Sequence, residues 1–599
     1  MKDVLLKGKK IYFTYIFILL WTFAMMKMFG FYNSPLVALV IFGIGVFFAG
    51  KFDGKINGWI VCFSVLIAGS TLVGSKIEIG QSVGYWNIQG DNYVGLWNMN
   101  YVTSLKLSDF IWTAILFVGN VLIFHGIIEM IQQKMSENLR VTGHQSKHIL
   151  AICATVIFMC WLPYALKYYP GLIYGDSLAS IYQGIGAAQY NNHHPICYTL
   201  LIKVFLEIGQ LFGSLNLGCF LYTLFQMLMT SITFGYVLSW LNKKGVNLAW
   251  IAIFTGIYAL IPVFSLHAIS MWKDPLFSAG LLLLSLFLYD VVESKGKILD
   301  TKKGMIIYIL LMWEISMMRN NGIYIMILVT LFLLGLYAIK VKLKQVKKMF
   351  TIDSILSLLL IMIITGPVYK SFGWTGEFAE TVGIPIQQMA SVVVYDGKMN
   401  EQDKEFVFQL LPEEKYKEIY TPCCVDNIKW NADFNEQFLE DNKGMFFKTY
   451  FSMLSKNFKL YVKAWIMETY GYWTFNDWEN NFFDYSLAPF QYPEEIGVVQ
   501  TDMLYEIFHV QADGLKSTFQ FLRSGILTWM ILFVGVVLLV VKKRKYLLVL
   551  IPCMATFLTL MISVPLADWL RYVLVYVYSI PLIFSLPFLV VHGENREDN

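Results

Sequence analysis

Long apolar runs separated by short polar breaks dominate this chain. Runs that approach or reach spanning length fall at 11–29, 35–50, 56–73, 108–130, 149–168, 217–240, 247–265, 275–292, 304–318, 322–340, 353–371, 522–541, 546–564 and 570–591. A helix that crosses a bilayer needs about 20 residues. The runs at 35–50 and 304–318 are short by that measure. The pattern predicts an all-α polytopic membrane protein with about 14 transmembrane helices. One further run, Ile196 to Phe212, is ambiguous by length alone.

Two polar regions interrupt the runs. Residues 74–107 are short and carry Trp86 and Trp97. Residues 372–520 are the one sizeable polar portion, with acidic and aromatic clusters such as Glu413-Glu414 and the stretch 469–478. Within it, Phe447, Phe451, Leu454, Phe458, Tyr461 and Trp465 recur at helical spacing. Such a stripe fits a helix packed on its own domain. It also fits a helix lying on the membrane and shaping the approach to a site. No internal repeat, low-complexity tract or Gly/Ser-rich linker divides the chain.

Charge orients the runs. Lys and Arg cluster near 7–10, 51–55, 134–147, 243–244, 295–303, 340–348 and 542–545. Basic residues favour the cytoplasmic side. All seven clusters fall there if Ile196–Phe212 lies at the outer interface as a juxtamembrane helix instead of crossing. Both termini are then cytoplasmic. The first run, Ile11–Phe29, is long for a signal peptide and lacks a small-residue cleavage site, so it is expected to stay as a helix. The expected organisation has four parts. Residues 1–148 hold accessory transmembrane helices with the outer loop 74–107. Residues 149–371 form a transmembrane core with catalytic outer loops. Residues 372–520 form an extracytoplasmic, mostly α domain, and 521–599 form C-terminal transmembrane helices.

Composition sharpens this picture. The 599 residues are 57% hydrophobic and only 15% charged, with mean hydropathy +0.56. A soluble fold of this size could not hide so much apolar surface. A net charge of +4 gives no case for nucleic acid. The eight cysteines show no C-x-x-C spacing and read as packing residues.

The same topology carries Asp176, His193, His194, Lys273, Asp274, Arg319, Asn320, Asp568 and Arg571 to the outer face. Ionisable groups in a membrane setting are functional-site candidates. Pro170 and Gly171 end the preceding helix, and Gly175-Asp176-Ser177 opens a short one. Asp176 reads as an N-cap, a role compatible with a catalytic carboxylate kept ionised by the helix dipole. His193-His194-Pro195 begins the juxtamembrane helix. Neighbouring histidines point about a quarter-turn apart, unlike the i, i+4 pair of a metal helix. They read either as ordinary interfacial hydrogen-bonding groups or as donors to a phosphate or sugar hydroxyl. Lys273-Asp274 is either a self-paired couple at a helix start or a phosphate contact beside a sugar contact. A polar turn accounts for Asn320-Asn321-Gly322 but not for Arg319, whose guanidinium suits bidentate phosphate binding. Asp568 and Arg571 are either an i, i+3 pair or a further cation on this face.

No nucleotide-cradling glycine loop, G-x-S-x-G elbow or zinc-protease helix occurs. No cytoplasmic segment is large enough to bind a nucleotide. Carboxylates, imidazoles and cations in an outer, lipid-facing cleft point to a lipid phosphate. Glycosyl transfer there draws its sugar from a polyprenyl phosphate.

At these residues the chain resembles the GT-C superfamily of membrane glycosyltransferases. Their pattern is an acid in the first outer loop, a "His-Pro-Pro-Leu-Tyr"-like juxtamembrane segment, and an acid in the second outer loop. The corresponding stretches here are Gly175-Asp176-Ser177, His193-His194-Pro195-Ile196-Cys197-Tyr198 and Lys273-Asp274-Pro275. The block is still more similar to the DUF6020 family, with its P-G-x-x-x-x-D-S, H-H-P, W-K-D and R-N-N-G series. The resemblance covers 149–330 best. It implies a GT-C-like fold, Asp176 as catalytic base, and Lys273, Arg319 and Arg571 as phosphate contacts. Asp274 and His194 complete the candidate catalytic set, and Ser177, Gln183, His193 and Asn320 the substrate contacts. Two features depart from many GT-C relatives: Asp176 has no second acid beside it, and four spans precede the motif-bearing core.

The expected activity is transfer of a sugar from a polyprenyl-phosphate donor to an extracytoplasmic glycan, lipid or protein acceptor. The expected setting is the plasma membrane, among its lipids, with a multi-pass chain and no nucleic-acid partner. No cofactor is required and no metal site is assigned; a divalent cation is left open, since GT-C relatives differ in using one. Two rival readings are a transporter or flippase of a lipid-linked or anionic solute, and a non-catalytic envelope-assembly subunit.

Overall fold

The computed structural model describes residues 2–29, 34–79, 87–89, 92–94, 99–100, 105–136, 147–340, 344–475, 491–512, 522–567 and 569–592. Helices account for nearly all of it. The amino-terminal group comprises α1 (Lys2–Met28), α2 (Pro35–Ala49), α3 (Gly58–Gly74) and α4 (Leu107–Ser136). Next come α5 (Ile149–Lys167), α6 (Gly175–Gly184), α7 (Ile196–Leu211), α8 (Leu215–Lys244), α9 (Leu248–Leu260) and α10 (Pro262–Ile269). The middle of the chain continues with α11 (Asp274–Glu293), α12 (Lys302–Met318), α13 (Gly322–Lys340) and α14 (Lys344–Ile363). Near the carboxyl terminus, Ser524–Val540, Ile551–Ile562 and Ile580–His592 are helical.

Helix ends fall close to the ends of the apolar runs, because the polar breaks supply the stops. Ser34, Asn57, Ser214, Asn247 and Thr301 each cap the helix that follows with a side-chain oxygen. Gly245 closes α8 in the left-handed conformation. The span count differs from expectation. Among the described residues, seven helices are long and apolar enough to cross, or eight if α9 and α10 form one span bent by 53°. Helices α2, α3 and Ser524–Val540 have 15, 17 and 17 residues, short of the hydrocarbon thickness. The count of about 14 is therefore not reached. Helix α7 carries Lys203 and Glu207 and is not among the candidate spans. Outside the helices, residues 74–107 hold two very short strand pairings. Glu78–Ile79 pairs with Met99–Asn100, and Asn87–Gln89 with Asn92–Val94, both antiparallel.

Helix α11 is the hub. Leu281, Leu282, Leu284, Leu286 and Leu288 are all buried, so it has no lipid-facing stripe. It packs on α8, α12 and the helical segment 574–578. A second core belongs to residues 379–461 alone, with Val392, Val407, Ile428, Phe446, Met453 and Tyr461 inside.

Helix α7 folds back against α8 at a close crossing. A Cβ on Gly218 would lie 2.8 Å from the Leu206 Cα, and one on Gly209 would lie 2.4 Å from the Gly218 nitrogen. Helix α7 also carries α6, which holds Asp176. Gly218→Leu is therefore expected to cost about 1–3 kcal/mol of stability by forcing backbone apart. Thermal unfolding in detergent, set beside Gly43→Leu, where nothing lies within 4 Å, checks this. Equal midpoints would remove the packing argument.

Candidate functional site

Three backbone segments meet at one end of the bundle. The first, 169–184, is held from both sides. Leu172 exchanges hydrogen bonds with the 269–271 strand-like segment: its N–H reaches the Ile269 carbonyl at 3.0 Å, and its carbonyl accepts from Met271 N–H at 2.9 Å. A strap from later in the chain covers the other side. Gln491 N–H donates to the Ile173 carbonyl, Tyr492 hydroxyl to the Gly171 carbonyl, and Thr501 N–H to the Tyr169 carbonyl. Lys167 pairs with Asp502 at 3.1 Å. Helix α6 then starts at Gly175 with Tyr174 as its N-cap and no side-chain cap. Asp176 thus lies inside the first turn and is not the N-cap that its sequence context suggests. Ser177, Ser180 and Ile181 turn inward onto α7, leaving Asp176 on the open side.

The second segment, 268–274, is fixed by backbone contacts. Gln226 of α8 donates to the Ala268 and Ser270 carbonyls at 2.9 and 2.6 Å. The Met271 carbonyl accepts from the Ser177 hydroxyl at 2.6 Å and from the Tyr198 hydroxyl. Lys273 follows two residues later and is the N-cap of α11, with Asp274 in its first turn. The third segment, 569–573, brings Arg571 beneath Trp569.

These segments converge on one carboxylate. Asp176 Oδ2 lies 2.8 Å from Lys273 Nζ, 3.2 Å from Arg571 Nη2 and 4.0 Å from His194 Nδ1. Lys273 Nζ also lies 3.1 Å from His194 Nδ1. Burial alone would raise the Asp176 pKa, but the charges of Arg571 and then Lys273 outweigh it, so its carboxyl is held well below the usual carboxylate range. Burial, and then the Lys273 charge, push His194 well below its ordinary value. His194 is therefore neutral at pH 7 and accepts from Lys273 at Nδ1, which leaves its proton on Nε2. The result is one carboxylate facing two buried cations. Among the described residues, two cations thus meet one carboxylate, and the buried Arg571 Nε makes no hydrogen bond with any of them.

Lys273 and Asp274 do not pair with each other. Asp274 turns the other way and binds Arg319, whose guanidinium also lies 4.9 Å from the Tyr572 ring centroid. Arg571 stacks 3.7 Å from Trp569 and 4.7 Å from Trp272. Asp568, the expected i, i+3 partner of Arg571, lies outside the described residues.

A cleft of about 670 Å³ opens over this cluster. Asp176, His193, His194, Lys273, Arg319, Asn320 and Arg571 line it. Asp274 is beneath, reaching the cleft only through Arg319. Ser177 and Gln183 are buried behind α6 and do not reach the lining. Ser177 is occupied by the Met271 carbonyl, and Gln183 donates to Asn191 at 3.3 Å. Asn320 lines the cleft, while its amide donates to the Asn192 carbonyl at 2.9 Å and so holds the histidine loop. The two histidines precede α7, which begins at Ile196 after Pro195 as N-cap.

The opposite wall comes from the 372–520 region. Glu380, Asp426 and Trp430 line it. Lys429 bridges Glu380 at 2.7 Å and Asp426 at 3.0 Å. Nothing periodic in the sequence marks these residues; they reach the cleft by folding of that region. His193, Glu377 and Glu380 place one ligand atom each within 4.8 Å of one another, a set able to hold a divalent cation. His193 Nδ1 contacts Glu377 at 3.2 Å.

Residues 185–598 match the family described as "Family of unknown function (DUF6020)", and the chain belongs to that family. The match begins after Asp176 and contains the other clustered side chains. No curated protein and no solved structure matches the chain.

Burial lowers the His193 pKa, but the hydrogen bond and charge of Glu377, with Glu380, raise it above 6.5 overall. A raised pKa stabilises below the unfolded value and is lost as pH rises through the folded one. His193→Gln should therefore lower thermal stability near pH 6 and match the parent near pH 9. A gap that stays constant across that range would exclude a charged His193–Glu377 pair.

Proposed function

We propose that this member of the DUF6020 family is a GT-C-like membrane glycosyltransferase using a polyprenyl-phosphate sugar donor. The observation that carries the reading is the single carboxylate held between two buried cations in an open cleft. Among the described residues one positive charge is left over. A phosphate monoanion balances that excess, and Arg571 Nε supplies a donor that has no partner among the described residues. In this reading the cleft faces the outer side of the plasma membrane and both termini are cytoplasmic.

The chemistry follows from competition for the cations. With Lys273 and Arg571 on it, Asp176 is a weak base. A donor phosphate draws both cations toward itself, and the Asp176 carboxylate regains basicity. An acceptor hydroxyl then gives its proton to Asp176 as its oxygen bonds the anomeric carbon. The bond from that carbon to the phosphate oxygen breaks, and polyprenyl phosphate leaves with the electron pair. Lys273, Arg571 and Arg319 stabilise the charge developing on it. His194, neutral and fixed by Lys273, orients the ammonium. Asp274 acts as a positioning residue through Arg319. Donor binding is required before the base is competent, so binding is ordered.

A second reading, transport of an anionic or lipid-linked solute, is favoured by Glu314 within α12. Its carboxylate abuts Gly280 of α11, and its Oε2 has no hydrogen-bond partner among the described residues. Ionisable groups inside bundles mark transport paths.

The test is reconstitution in vesicles with a panel of labelled polyprenyl-phosphate sugars. Asp176→Asn should lower donor consumption by about 10²–10⁴-fold, while donor binding persists because both cations remain. Unchanged consumption in Asp176→Asn would end the assignment of Asp176 as base. Passage of intact donor across the vesicle without release of polyprenyl phosphate would establish the transport reading instead.

A further inference from the structure

The helices Lys443–Lys456 and Phe458–Thr469 form a hairpin with two unlike faces. Inward, Phe446, Thr449, Met453, Tyr461, Ala464 and Met467 are buried. Outward, Phe447, Lys448 and Phe451 follow one another at the i, i+1, i+4 positions of one helical face, and Phe458, Lys459, Val462 and Lys463 do so in the second helix. Phe451 is 60% exposed and Phe458 67%, and Phe447 and Val462 are exposed too. The apolar stripe expected from the sequence is thus split. Tyr461 is buried and Leu454 and Trp465 are half-buried, while the three phenylalanines face out.

Charge on this face has one sign. Lys448, Lys459 and Lys463 are exposed, and the one acid on either helix, Glu468, is buried. The two flanking lysines are already engaged, Lys443 by Glu440 and Lys456 by Asp403. The hairpin also abuts a membrane helix. Trp465 Nε1 donates to the Met561 carbonyl at 2.9 Å, at the end of Ile551–Ile562. On that helix Leu558 and Ile562 are exposed, in positions that lipid covers in a bilayer. The second helix of the hairpin is therefore fixed, through Trp465, to a candidate membrane helix that bears exposed apolar side chains.

We propose that this hairpin face rests on the lipid headgroups of the adjoining leaflet, with the phenylalanines and Val462 inserted and the three lysines on anionic phosphates. Exposed aromatics interleaved with lysine, without acids, match the chemistry of an interfacial anionic surface. A water-facing patch of this kind would otherwise be an unexplained apolar exposure. The proposal goes beyond the transfer reading and does not depend on it.

The experiment uses the full chain with Cys62→Ser, which removes the exposed native thiol. A bimane probe is attached at Phe451→Cys, or at Glu405→Cys on the exposed surface of the same region. Both proteins are placed in phosphatidylcholine vesicles with about one third phosphatidylglycerol, carrying lipid with a doxyl quencher near the headgroup. The probe at 451 should be blue-shifted and quenched several-fold more than the probe at 405. Replacing Lys448, Lys459 and Lys463 together by Gln, or removing phosphatidylglycerol, should reduce that quenching by at least half. Equal quenching at 451 and 405 would overturn the proposal. A blue shift that appears in detergent and grows with protein concentration would assign the face to a second copy of the chain and overturn it too. Quenching indifferent to both the lysines and phosphatidylglycerol would refute the anionic preference.

Discussion

One carboxylate holds two cations drawn from remote parts of the chain. Asp176 lies 97 residues from Lys273 in sequence and in a different segment from Arg571, yet its Oδ2 contacts both. All three groups are largely buried. Taking a single charge out of water is costly, and a partner offsets that cost only when the geometry is close. Removing the carboxylate would strand two cations. The segments that carry them are therefore locked to each other, and the cleft exists because they are. The Arg319–Asp274 pair beside it ties the end of α12 to the start of α11 in the same way.

Among the described residues, two cations stand against one carboxylate on this side of the cleft. The wall opposite has the reverse character, with Glu380 and Asp426 sharing Lys429. The cleft is thus polarised from one side to the other. In the transferase reading proposed above, the donor phosphate takes the Arg571 side and the remainder of the donor extends toward Trp430 and the carboxylates. The 372–520 region is in this way part of the site as well as a neighbour of it.

Much of this was legible before any coordinates. The runs at 149–168, 217–240 and 275–292 end within a few residues of α5, α8 and α11. The polar breaks named Asp176, His194, Lys273, Arg319 and Arg571, and these gather in one cleft. Their partners were not legible. Lys273 and Asp274 look self-paired in sequence but part company, one toward Asp176 and one toward Arg319. Ser177 looks like a substrate contact but serves the Met271 carbonyl. Glu377, Glu380 and Trp430 gave no signal, because an acid or a tryptophan in a polar region is unremarkable until a fold aims it somewhere.

The sequence by itself determined the membrane class, the helix borders and the family, because apolar runs, caps and short motifs are local. Bilayer thickness and the need to satisfy backbone hydrogen bonds in lipid act on each segment separately. Only the tertiary structure decided which helices fall short of spanning, which cation takes which carboxylate, and which face of the 443–469 hairpin is left exposed. Those outcomes depend on distances between segments up to hundreds of residues apart. A few ångströms separate a neutral couple from a charged site, and no local pattern encodes that separation.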